Sequence, residues 1–151
     1  MCKTTPNLSP HVVSLLPIDD RDVLNVLQKG RCKQHAHFVT LGVVPKLTSS
    51  LTVPLLRICT EASRLAKPLI KCTMNDIKYA TMLCLPESVA EECIKAAIQA
   101  ITMYALSGTG ALKVSMSRRS GLNFSVGNFY RWMIDSHVAN VVTDTLLFLE
   151  P

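Results

Sequence analysis

ALKVSMSRRSGLNFSV, residues 111–126, alternates apolar and polar side chains twice over. Leu112, Val114 and Met116 fall on one side of an extended chain, with Lys113, Ser115 and Ser117 on the other. After Arg118-Arg119-Ser120-Gly121 the pattern resumes, with Leu122, Phe124 and Val126 against Asn123 and Ser125. A period of two marks a half-buried strand, and two such runs about a short polar loop predict a β-hairpin with Arg118 and Arg119 at its tip. The preceding stretch has another period. Residues 86–106 open with Pro86 and Glu87, and their apolar stripe (Ala90, Cys93, Ile94, Ala97, Ile98, Ile101, Ala105) recurs at threes and fours. Glu91 and Lys95 form an i,i+4 pair outside it. That is a helix, and Gly108 is its stop. The change of period at 108–110 predicts an α+β fold, a mixed or antiparallel sheet bearing the hairpin and packed by two to four helices.

The remaining segments fit the same expectation. Pro6 and Pro10 among small polar residues make 1–10 an extended arm, and a short strand can follow at 11–16. Asp19-Asp20-Arg21-Asp22 suits the exposed amides of a helix start, Val23, Leu24, Val26 and Leu27 supply an apolar face, and Gly30 ends it. Residues 36–44 (AHFVTLGVV), rich in β-branched and aromatic residues, predict a strand closed by Pro45, and 78–85 predict another. From Thr52 to Lys67 the spacing is helical, with Pro54 in the first turn and Pro68 as the stop. Residues 128–149 read as a further helix. With no repeat and no linker, 1–151 is expected to be one domain.

A 48% hydrophobic content and a mean hydropathy of +0.27 exclude a disordered chain. No apolar run reaches the ~20 residues of a membrane span. The six cysteines are scattered, none in a Cys-x-x-Cys pair, and no export signal precedes them. This predicts reduced, mostly buried thiols without disulfides, in a cytoplasmic or nuclear chain that is not secreted. The net charge of +5 is unevenly placed. Residues 29–78 carry nine cations against Glu61 and Asp76, and 110–131 carry Lys113, Arg118, Arg119 and Arg131 with no acid, while the other segments are acidic. Such a distribution predicts an oriented basic face, and basic faces attract phosphates.

The chemistry-bearing clusters are sparse. Cys32-x-x-His35-x-His37 has ligand types but no second pair to close a zinc site. Asp135-Ser136-His137 are neighbours along the chain, whereas catalytic triads converge across a fold. Ser107-Gly108-Thr109-Gly110 follows a helix and lacks the lysine of a phosphate loop. No enzyme is expected, and no metal or cofactor. Two basic features remain. Arg57, Arg64 and Lys71 lie at seven-residue spacing, nearly two helical turns, and form a cationic stripe. The hairpin tip offers Arg118 and Arg119 with Lys113 behind them, and arginine presents a planar fork to phosphate. Arg131 among Phe124, Phe129, Tyr130 and Trp132 could stack unpaired bases, although such aromatics also build cores. The expected phosphate contacts are therefore Arg57, Arg64, Lys113, Arg118, Arg119 and Arg131.

Residues 76–106 (DIKYATMLCLPESVAEECIKAAIQAITMYAL), with the basic glycine-containing segment after them to about residue 120, resemble the C-terminal half of the small matrix proteins of negative-strand RNA viruses, such as those of bornaviruses. The resemblance implies a self-associating, non-enzymatic structural protein that binds RNA and the inner face of a membrane. It assigns no individual residue. Two other readings stay open beside it: a soluble RNA-binding regulator such as a viral suppressor of host RNA silencing, and a partner-binding module with no nucleic-acid ligand. Self-association is expected on composition as well. An apolar content of 48% with only 18% charged residues leaves more apolar surface than a small core hides.

Overall fold

The computed structural model of the chain describes residues 16–30, 33–66, 72–108 and 113–135. The chain order is α1 (Asp20–Lys29), two 3-10 helices (Lys33–Phe38 and Leu41–Val43), α2 (Val44–Ala66), α3 (Met74–Cys84), α4 (Glu87–Leu106), the single turn α5 (Met116–Arg119) and α6 (Val126–Asp135). No β-strand occurs among the described residues. The expected α+β fold is corrected to an all-α one. The arm expected at 1–10, nearly all of the strand at 11–16, Lys71 and everything beyond Asp135 lie outside the described residues.

Each misread strand has a local cause. In 78–85, the capping chemistry sits a few residues upstream. The Thr73 N–H donates to Asp76 Oδ2 at 2.7 Å, and the Asp76 N–H donates to Thr73 Oγ1 at 3.4 Å. This reciprocal capping box starts α3 at Met74 and commits the apolar run to a helix. In 36–44, the Val39 N–H reaches the Ala36 carbonyl and the Val43 N–H the Thr40 carbonyl, so tight turns satisfy amides that a strand would leave for a partner.

In the supposed hairpin, the serines cap helices and do not line a polar face. Ser115 Oγ accepts from the Arg118 N–H, Ser117 Oγ from the Val126 N–H at 2.9 Å, and Ser125 Oγ from the Asn128 N–H. Short hydroxyl side chains compete with a ladder through such local bonds. The result is α5, a left-handed turn at Gly121 (φ +68°) and the start of α6.

Other expectations hold. Asp19 and Asp22 cap each other's amides at the head of α1, and Gly30 ends it. Residues 87–106 are helical, and Gly108 comes next in the left-handed region (φ +66°). The helix expected from Thr52 begins earlier, at Val44, and runs through Pro54 to Ala66.

The core lies where α2, α3 and α6 meet. Leu56, Cys59, Ala62 and Ala66 line one side of α2 at spacings of three and four, and they cluster with Cys72, Ala80, Trp132 and Met133. Ala62, Ala66 and Ala80 carry only a methyl group, which lets α2 and α3 pack closely, and that pair makes the most extensive helix contact. The Thr48 hydroxyl donates to Asp20 Oδ1 at 2.5 Å and joins α1 to α2. α4 supplies no residue to the core cluster. It contacts α3 at one end and α5 at the other.

Candidate interaction surface

Ala90 is the one buried residue of α4, a helix of 20 residues. The stripe read from the sequence is present as a face, but the described residues do not cover it. Ile94 and Ile101 are half-buried, Cys93, Ala97 and Ala105 are exposed, and Ile98 is 55% exposed. The far side carries Glu91, Glu92, Lys95, Gln99 and Thr102, all exposed, but apolar side chains are interspersed there. Val89 and Met103 are exposed, and Leu106 is 80% exposed. Charges on α4 stop at Lys95, so its second half carries none. Lys95 pairs with Glu92 at 3.3 Å, not with the expected Glu91, and an exposed pair of this kind is worth little.

The outer face of α3 continues the pattern. Its inner side buries Ala80 and Thr81 toward the core, and Tyr79, Met82 and Leu83 are exposed on the other side. Among the described residues, fifteen large apolar side chains are exposed, whereas the buried ones larger than Ala or Cys are Val23, Val44, Leu56, Trp132 and Met133. The apolar stripe of an amphipathic helix is ordinarily buried against a partner. Covering one such side chain contributes about 1.5–3 kcal/mol. Seven from α3 and α4, each already partly buried, together reach roughly 6–12 kcal/mol, comparable with an association cost of about 4–15 kcal/mol.

The six expected phosphate contacts sit on three separate helices and a turn. Arg57 and Arg64 are exposed on α2, and Arg64 is engaged by Glu61. Its Nη2 donates to Glu61 Oε1 at 2.6 Å, and its Nε reaches both carboxylate oxygens. Arg64's hydrogen bond, aided by its charge, holds the Glu61 carboxyl below the usual carboxylate range, and the same pairing raises Arg64. Lys113 and Arg118 are exposed at the head of α5 and on it, and Arg131 is exposed on α6.

Arg119 points inward. Its guanidinium lies 4.1 Å from the centroid of the Tyr104 ring, Nε donates to Ser107 Oγ at 2.6 Å, Nη1 to Tyr104 Oη and Nη2 to the Gly108 carbonyl. It closes the C-terminal end of α4, where carbonyls lack helical partners and a cation is favoured. Sequence reading missed this latch, because a hairpin tip gave Tyr104 and Ser107 no part in it. The aromatic cluster is divided. Trp132 is buried, and Phe124 and Phe129 pack on each other with centroids 5.1 Å apart.

Cys59, Cys84 and Cys93 are free thiols, and Cys93 is exposed. Burial, reinforced by neighbouring negative charge, pushes the Cys59 thiol up to about 12 and the Cys72 thiol up to about 11. Neither is a nucleophile at neutral pH. No group of His, Cys, Asp or Glu able to hold a metal forms among the described residues, and none of their helices is long and apolar enough to cross a membrane. Cys32, Ser136 and His137 lie outside the described residues.

Comparison with known families replaces the matrix-protein resemblance. The model described as "histone domain in ABTB family protein" matches residues 17–149, most of the chain. This overturns the viral matrix reading, and it lends no support to the membrane-peripheral location or to the RNA and lipid partners drawn from that reading. The resemblance rested on a strand–helix pattern over 76–106, and the first part of that pattern is α3.

Proposed function

Because the chain belongs to the family of the histone domain in ABTB family proteins, we propose that it is a non-catalytic association module that pairs with a second helical chain of its own kind, in the simplest case a second copy. The observation that carries this reading is the uncovered apolar surface of α4, continued by Tyr79, Met82 and Leu83 on α3. Histone-type domains typically pair with one another and typically do no chemistry, which supports both halves of the proposal. The setting is nuclear or cytoplasmic.

Pairing would bury side chains that the single chain leaves in water, and it would do so through a surface depleted of charge, as the centres of stable interfaces are. Native mass spectrometry at low salt tests the proposal. A species of twice the chain mass is expected from the purified protein. A strictly single-chain spectrum at roughly tens of micromolar protein, where even modest interfaces assemble, counts against it.

A further inference from the structure

The connector between α1 and α2 carries a second exposed surface, of different composition from α4. Phe38 is 83% exposed and Leu41 is 73% exposed, with Val43 also open. Around them Lys33, His35, His37 and Lys46 all face solvent, and Lys29 is exposed at the end of α1. No Asp or Glu occurs anywhere from residue 23 to residue 60. The connector packs against α1, and the two enclose an open cleft of about 530 Å³ lined by Gln28, Lys33, Gln34, Ala36 and His37.

A solvated loop would not ordinarily hold an aromatic and a branched aliphatic side chain almost entirely in water. A surface that did no more than attract phosphate would have no use for Leu41 and Val43. We infer that the connector is a docking site for an acidic protein segment carrying bulky apolar side chains, with Phe38 and Leu41 as the apolar anchors and Lys33 and Lys46 answering the carboxylates.

Three observations support that choice of occupant. The segment from residue 23 to residue 60 carries cations and no carboxylate, and Asp20, the acid beside it, is engaged by the Thr48 hydroxyl, so an acidic segment is favoured over a basic one. The apolar anchors are few and central, as in short amphipathic segments that insert two or three side chains into a partner. The cleft beside them is bordered by the amides of Gln28 and Gln34 and by Lys33, which can bind a backbone or a carboxylate. This surface is separate from α4, so the inference does not depend on self-pairing.

Fluorescence anisotropy on the full chain tests it, using a labelled peptide of about twelve residues built from Glu and Asp with Phe and Leu at helical spacing. Its controls are the same peptide with Phe and Leu replaced by Ser, and a labelled DNA duplex. Binding of the first peptide is expected, with affinity falling about tenfold or more (~1.4 kcal/mol or more) for Phe38→Ser or Leu41→Ser. Lys33→Glu with Lys46→Glu should weaken binding and flatten its salt dependence, and Ile98→Glu should leave it unchanged. Phe38 and Leu41 are so exposed that their serine variants should keep the parent's circular dichroism and melting temperature, which separates lost docking from lost fold. Three outcomes overturn the inference: no peptide binding, equal binding of the Ser-substituted peptide, or duplex DNA binding that displaces the peptide and ignores Phe38→Ser.

Discussion

Two arginines adjacent in sequence, Arg118 and Arg119, have opposite environments. A β-hairpin would place both in solvent, where replacing them leaves stability unchanged within about 0.5 kcal/mol. In the helical arrangement only Arg118 is so placed. Arg119 stacks on Tyr104 and donates to Ser107 and Gly108, binding α5 to the end of α4. Arg119→Ala is expected to cost about 1–2 kcal/mol, from a cation–π contact and net hydrogen bonds, and Arg118→Ala close to nothing. Urea unfolding of the two variants checks this, and equal midpoints would mean that the latch contributes no stability.

Cys59 offers a pH test. Its thiol is pushed up to about 12 in the folded chain, whereas the unfolded thiol ionises near the ordinary value of about 8.5. Below that ordinary value both states hold the proton and nothing changes. Above it the unfolded state alone releases the proton, so stability falls with rising pH, by up to roughly 1.4 kcal/mol per pH unit, until the folded thiol also ionises. Melting temperatures of the parent and Cys59→Ala should therefore converge as pH rises above about 9. Parallel curves would show that the buried thiol does not contribute to alkaline unfolding.

Among the elements, legibility tracked capping chemistry. α1 was readable because Asp19 to Asp22 and Gly30 mark its ends and an apolar face lies between them. α4 was readable from its period, although the use of its stripe was not, because periodicity identifies a face without saying what covers it. α3 was misread despite a signal in plain view. Thr73 and Asp76, three residues apart before an apolar run, form a capping box that outweighs the β-branched and aromatic character of that run. Residues 111–126 were harder. Alternating serines mimic the polar face of a strand, and only their backbone partners reveal them as caps. Thr73→Ala should cost about 1 kcal/mol by removing an oxygen that accepts the Asp76 amide. Thermal unfolding monitored by circular dichroism measures that loss, and an unchanged midpoint would show the capping box to be dispensable.

At the scale of the molecule, the centre of the α2–α3–α6 core holds three Ala and two Cys beside Leu56, Trp132 and Met133, and among the described residues fifteen large apolar side chains are exposed. The sequence foretold this surplus, because 48% apolar residues with 18% charged ones exceed what one small core can hide. It did not foretell where the surplus lies. That depends on α4 running outside the core cluster, which no local pattern encodes. A chain stabilised by pairing should melt at a temperature that rises with its own concentration, since mass action favours the folded pair. A melting temperature independent of concentration would describe a self-sufficient single chain.

The pairing face itself is tested most directly by sedimentation equilibrium of the parent and of Ile98→Glu over a range of concentrations. Ile98 is 55% exposed in the single chain and touches none of the core cluster, so a carboxylate there should leave the fold intact while burying an unpaired charge in any interface. The parent should sediment as a reversible pair at roughly tens of micromolar, and Ile98→Glu as a single chain with its association constant reduced at least about a hundredfold. Two single chains, or two pairs of equal strength, would contradict the assignment of α4 as the association face.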